Sequence, residues 1–279
     1  MIKLIALDLD GTLLMDDHVT VSESNIKAIT LAAQKGIIIT IASGRTFATM
    51  RKVFEQLPVA RFAVFSNGAS AVEVESGKFV IENRYISAED SAKIYDAICD
   101  YRATYQVYKE KDVYTDVNQV EDFHNAIRLL AFSEFLIRNT IIESTSKMAS
   151  ICKSKVEKYN IEYIAPEFKI QMKKRLDALH SLAITSSYAE NMEIFSNRTN
   201  KGDALKRLCE KQSILPSEVM AFGDSGNDIE MLKWAGLSYA MENANAAVKA
   251  AAKQITDSNV EDGVGKAISA YLETALPIT

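Results

Sequence analysis

A chain of 279 residues, 48% hydrophobic and 25% charged, is long enough to bury one large core or two smaller ones. Its net charge of −5 excludes a global basic field for nucleic acid, and no apolar run approaches the length of a membrane span. Three scattered cysteines, Cys99, Cys152 and Cys209, have neither metal spacing nor a disulfide framework, and the apolar start is too short for a signal peptide, so a soluble, cytoplasmic protein is expected.

The chain opens MIKLIALDLDGTLL, in which residues 2–9 are mostly apolar and predict a buried strand of a parallel sheet. That strand ends in two carboxylates, Asp8 and Asp10. Side chains alternate along a strand, so if the strand persists both acids share one small region. Like charges that close call for a cation or a proton between them. The plainer alternative is an Asx-type turn at Asp10-Gly11.

Ser22 is placed to cap a helix over ESNIKAITLAAQK that Gly36 stops. IIITIA (37–42) is a second buried strand, leading into Ser43-Gly44-Arg45 and a helix that ends before Pro58. FAVFS (62–66) is a third strand, followed by the turn pair Asn67-Gly68, and SAVEVESGKFVIE is a hairpin turning at Ser76-Gly77. Strand and helix alternate as in a doubly wound parallel sheet with right-handed crossovers. Over 84–195 the rhythm changes to a helix (88–101), two short strands in QVYKEKDVYTD, a mixed α and β stretch (117–180), and strands in SLAIT and NMEIF. The basic run 169–175 reads as a solvated helix face. The first rhythm then resumes, with a helix at 202–211, a strand at 219–224, the helix NDIEMLKWAG, the strand LSYAM, the helix NAAVKAAA, the strand QIT and a closing helix. The expected organisation is an α/β core of residues 1–83 and 196–279, with an α/β domain of residues 84–195 inserted.

Ligands of doubly wound sheets bind outside the carboxyl ends of the strands. There this chain places Asp8 and Asp10, then Ser43, then Asp224 with Asn227 and Asp228, and Lys201 opens the helix that returns to the sheet. Oxygen ligands with few nitrogen or sulfur donors favour a hard cation, Mg²⁺ above all. Mg²⁺, a lysine and a hydroxyl together suit a phosphate group. A free Asp beside it can attack phosphorus, and the neighbouring Asp can protonate the leaving oxygen and later deprotonate water. Plainer readings exist: Ser43 as a helix cap, Lys201 as an exposed lysine, Asp228 as an acid at a helix start. Arg45 reads as structural, His18 as a loop or surface residue, and Trp234 as a core anchor.

DLDGTLL, the SGR after the second strand, NKG around Lys201 and GDSGND resemble the four motifs of the haloacid dehalogenase-like phosphohydrolases. The tail, AMENANAAVKAAA with ITDSNVEDGV, resembles their Cof-type branch, in which a large α/β cap is inserted after the third strand. The resemblance covers about residues 1–83 and 195–275. It implies a Rossmann-like core, a cap covering the site, and a Mg²⁺-dependent phosphatase acting through an aspartyl-phosphate on small phosphorylated metabolites, sugar phosphates foremost. Carried over to this chain, it makes Asp8 the nucleophile and a metal ligand, and Asp10 the general acid/base with its backbone carbonyl on the metal. Ser43 and Lys201 would bind the transferred phosphoryl, and Asp224 would be the acidic metal ligand. Asp228 would act on the metal through water or by holding Lys201, and Asn227 would touch phosphate or metal. Ser43 stands where many relatives have Thr. The scaffold equally suits a phosphotransferase or mutase, and a response-regulator-like module shares the acids, hydroxyl and lysine but lacks the insertion. The expected partner is a small metabolite, with neither nucleic acid nor membrane.

Overall fold

The computed structural model describes residues 1–81, 84–101, 103–116, 118, 140–142, 144–185 and 191–275. The chain divides into two units. One comprises Met1–Arg45, Met50–Glu82 and Asn200–Thr279, and the other comprises Thr46–Thr49 and Asn83–Thr199. The expected insertion, 84–195, lies within the second unit, which also takes in Thr46–Thr49 from the stretch expected in the core.

In chain order the strands are β1 (Leu4–Leu7), β2 (Ile38–Ala42), β3 (Ala60–Phe65), β4 (Ser70–Glu73) and β5 (Phe79–Ile81) in the first unit. The second unit holds β6 (Thr104–Lys109), β7 (Asp112–Asp116), β8 (Thr140–Ile142), β9 (Lys158–Tyr163), β10 (Leu182–Thr185) and β11 (Met192–Ser196). The chain returns to the first with β12 (Val219–Gly223), β13 (Leu237–Met241) and β14 (Gln254–Thr256).

The sheet of the first unit runs β14-β13-β12-β1-β2-β3-β4-β5. The six strands from β14 to β3 are parallel, and β4 and β5 add an antiparallel hairpin at one edge. The chain winds outward from β1 through β2 to β3 in one direction, and from β12 through β13 to β14 in the other. The switch lies between β1 and β12, where Leu4 pairs with Val219 and Leu7 with Phe222. A crevice opens at such a point because the connections leave it in opposite directions.

Every residue of β1 is fully buried, because both faces of this sheet are covered. Leu4 and Ala6 pack with Ala204, Leu205 and Leu208 of the helix Lys201–Lys211 and with Met231 and Leu232 of the helix Ile229–Trp234. The helix Glu23–Gln34, capped where Ser22 Oγ accepts from Asn25 N at 3.2 Å, packs against the helix Gly263–Ala275. Each buried Leu or Ile contributes roughly 1.5–3 kcal/mol, which makes this central strand a rigid base for the residue that follows it. Trp234 packs at the margin of the same core, as expected.

Three local expectations change. β1 stops at Leu7 rather than 9, so alternation no longer governs Asp10. After Ser43 the chain makes a loop and a 3-10 turn (Ala48–Met50) before the helix Arg51–Gln56 begins, so Ser43 is not that helix's cap. β3 starts two residues earlier than read, at Ala60 rather than 62.

The sheet of the second unit runs β10-β11-β9-β6-β7-β8, antiparallel except for β7 with β8. Tyr105, Val107, Tyr159, Ile161 and Ile194 face a helical layer that includes Ile94, Met148 and Met172. Alternate positions are polar and buried, among them Gln106, Lys158 and Asn160, with Lys158 paired to Glu193 at 2.6 Å. The basic run 169–175 lies in the helix Pro166–Asp177, which buries Met172 and Leu176 and exposes Lys173, Lys174 and Arg175. Of the stretch 117–180, residues 117, 119–139 and 143 lie outside the described residues. No helix among the described residues is long and apolar enough to cross a membrane.

Candidate active site

Asp8 extends the ladder beyond β1, its N–H donating to Phe222 O at 3.2 Å, and the residue is 4% exposed. Asp224 follows β12 directly, and Asp228 ends the turn Gly226–Asp228 after it. The carboxylates of Asp8, Asp224 and Asp228 offer oxygens that all lie within 4.8 Å of one another.

Lys201 stands in the first turn of its helix, which Asn200 caps through a bond from Asp203 N to its side-chain oxygen. Its ammonium is 1% exposed and donates to Asp8 Oδ1 and to Asp228 Oδ1, both at 2.7 Å. This buried lysine is the opposite of the solvent-exposed default. Asp228 also accepts at Oδ2 from the backbone N–H groups of Asp224 and Ser225, at 3.1 and 3.0 Å. It therefore braces its own loop with one oxygen and Lys201 with the other.

Asp8 and Asp228 share one amine, and the Asp224 carboxylate lies beside them without a bond to it. Burial first, then the neighbouring charge of Asp228, pushes the Asp8 carboxyl well above the usual range, although Lys201 pulls the other way. Burial also raises Asp224, against a hydrogen bond from Thr12, while the charge of Asp228 adds to the rise. Lys201 is raised despite its burial, because Asp228 and Asp8 hold it charged. The donor set is all oxygen, mutually crowded and short of positive charge, and it fits a hard divalent cation.

Asp10 is not in this group. Its carboxylate accepts from Arg45 Nε at 2.8 Å and from Arg45 Nη2, and it meets His18 Nδ1 at 2.9 Å. Burial opposes its ionisation, but the bidentate guanidinium outweighs burial and holds the carboxyl below its ordinary value. The two-residue spacing that suggested a shared region fails because the strand has already ended. His18 and Arg45 are thereby partners of Asp10, which their sequence context did not disclose.

Ser43 is 1% exposed, and its Oγ accepts from Arg45 N at 3.2 Å. Its own proton goes to no acceptor among the described residues, which leaves a buried hydroxyl donor beside the cluster's rim. Asn227 is exposed, with Nδ2 donating to Asn67 Oδ1 at 2.9 Å and Oδ1 accepting from Ser225 Oγ at 2.6 Å.

Two further residues belong to this architecture. Thr12 Oγ1 donates to Asp224 Oδ1 at 2.7 Å, and Asn67 ties the loop after β3 to Asn227. Gly11 completes the turn after Asp10. Its φ of +75° suits glycine, and a Cβ there would collide with the Asp224 carboxylate.

The model of the haloacid dehalogenase-like hydrolases matches residues 5–268. The chain is 32% identical over 268 residues to 5-amino-6-(5-phospho-D-ribitylamino)uracil phosphatase YcsE of Bacillus subtilis, covering 96% of this chain and 94% of that one. It is 31% identical over 283 residues to Phosphatase YwpJ of the same organism, covering 94% and 97%. Among solved structures it is similar to a haloacid dehalogenase-like hydrolase from Bacteroides thetaiotaomicron, with a TM-score of 0.82 at 26% identity, covering 97% of this chain and 99% of that one.

Proposed function

This chain belongs to the haloacid dehalogenase-like hydrolases, in their Cof-type branch, and is a phosphoric monoester hydrolase; on that premise we propose that it is a Mg²⁺-dependent phosphatase working through a phosphorylated Asp8. The observation that carries the reading is the crowding of the Asp8, Asp224 and Asp228 carboxylates, two of which hold the ammonium of Lys201. We assign catalysis to the first unit, the core, and the choice of substrate to the second, the inserted cap.

Mg²⁺ would be held by Asp8, Asp224 and the backbone carbonyl of Asp10, with Asp228 behind them, and when bound it supplies positive charge to the phosphoryl oxygens and to the crowded carboxylates. Asp8 attacks phosphorus, and the bond from phosphorus to the leaving oxygen breaks. Asp10 gives that oxygen a proton. A water molecule then attacks the phosphorus of the aspartyl-phosphate and loses a proton to Asp10, and the break of the bond to phosphorus restores Asp8. Ser43 donates its free hydroxyl proton to a phosphoryl oxygen, Lys201 neutralises the group, and Asn227 adds an amide contact. As Arg45 holds it, Asp10 is ionised and set to act as a base. Its service as an acid requires release from those two bonds.

The substrate class is small phosphorylated metabolites, with phosphorylated sugars or sugar alcohols foremost. The relative named for a phospho-ribitylamino substrate supports this choice. A screen of phosphorylated metabolites for released phosphate tests it, and product analysis separates hydrolysis from transfer to a second hydroxyl.

The metal assignment has its own test. Chelation with EDTA is expected to abolish turnover and Mg²⁺ to restore it, with Ca²⁺ inhibiting because its looser, larger coordination misplaces the attack. Full activity after exhaustive chelation would remove the metal from the account.

A further inference from the structure

The loop after β3 carries chemistry that the four motifs leave unassigned. Ser66, Asn67 and Gly68 have φ of +50°, +57° and +95°, three left-handed residues in succession, and two of them are not glycine. Asn adopts this conformation more readily than most residues, whereas a serine holds it only where its surroundings favour it. Here the surroundings are the other loops of the rim. Ser66 N donates to Arg45 O at 2.8 Å and Asn67 N to Ser43 O at 3.1 Å, so the turn is bolted to the loop of the buried serine. Gly68 lies so close to the carbonyl of Asn200, the cap of the Lys201 helix, that a Cβ there would collide with it.

Asn67 as a whole is 4% exposed. Its Oδ1 is used by Asn227 Nδ2 at 2.9 Å. Its Nδ2 donates to no acceptor among the described residues. A Cβ on Gly44 would lie 2.8 Å from Oδ1 and 3.7 Å from Nδ2, so the amide sits directly against the Ser43–Arg45 loop, which needs glycine at its centre for that reason. The unused donor is not among the side-chain atoms sealed from solvent without a partner, so it stays within reach of a ligand.

We propose that Asn67 is a phosphate-binding residue whose Nδ2 donates to an oxygen of the substrate's phosphoryl group, while its Oδ1 fixes Asn227. This rests on the phosphatase reading given above. The site then offers a phosphoryl group three kinds of donor from three loops: the Ser43 hydroxyl, the Lys201 ammonium and the Asn67 amide. The left-handed turn is what aims the third.

Two variants separate donation from bracing, with inorganic phosphate as a competitive inhibitor of p-nitrophenyl phosphate hydrolysis at fixed Mg²⁺. Asn67→Gly keeps a residue at home in the left-handed region and removes the amide. It is expected to weaken inhibition by phosphate about tenfold or more, as for a lost hydrogen bond to a charged group. Asn67→Asp keeps an oxygen for Asn227 but sets an anion where the donor stood, and it is expected to be the worse binder of the two. Melting temperatures should stay close to that of the wild type in both. Inhibition of Asn67→Asp within about twofold of wild type would overturn the proposal, since the residue would then only brace Asn227. Wild-type protein that neither hydrolyses the ester nor binds phosphate overturns the phosphatase reading itself, and this role with it.

Discussion

Asp8→Asn is expected to lower turnover by about four orders of magnitude or more, as loss of an essential nucleophile does, while the metal-free protein stays at least as stable as the wild type. The second half follows from the direction of the Asp8 shift. Burial and Asp228 raise its folded-state pKa, so the folded protein binds that proton more tightly than the unfolded chain. Above the raised value, keeping Asp8 ionised therefore destabilises the fold in full, and the penalty fades as pH falls from there toward the unfolded value. A neutral amide removes it at neutral pH, and Lys201 keeps Asp228 as a partner at 2.7 Å. Activity above about one percent of wild type would refute nucleophilic catalysis by Asp8. A clear drop in melting temperature would show that Asp8 holds the fold together.

Lys201→Met is expected to lose activity and stability together. The methionine fills a similar volume but leaves two buried carboxylates without their shared cation, and removing one member of a buried ion pair typically costs about 3–5 kcal/mol. Added Mg²⁺ should recover part of the melting temperature, since it meets the same excess of negative charge. Thermal unfolding of metal-free and metal-loaded variant measures both effects. An unchanged melting temperature without metal would mean that the acids relax away from one another. The two substitutions thus move stability in different directions while both abolish turnover.

The main features of the site were legible because two of its acids, Asp8 and Asp224, follow apolar runs. LIAL and VMAFG are continuous because both faces of the central sheet are covered, and their ends mark Asp8 and Asp224. Lys201 was legible only through its context, since nothing local distinguishes a buried lysine from an exposed one. Asp10 was misplaced by extending strand geometry past Leu7. Thr12 and Asn67 escaped for another reason. A Thr after Asp-Gly and an Asn before Gly are ordinary turn chemistry, and their partners, Asp224 and Asn227, lie 212 and 160 residues away. The inserted unit was hardest to divide because its sheet buries polar residues such as Gln106, Lys158 and Asn160, which weakens the alternation that announces a half-buried strand.

The covalent step can be caught directly. Wild-type enzyme mixed with p-nitrophenyl phosphate and Mg²⁺, quenched within the first turnover and reduced with borohydride, should yield a peptide in which residue 8 has become homoserine, the reduction product of an aspartyl-phosphate. Asp8→Asn treated in parallel should yield none. An unaltered Asp8 in enzyme that is demonstrably turning over, or homoserine at another acid, would contradict the claim that Asp8 carries the phosphoryl group.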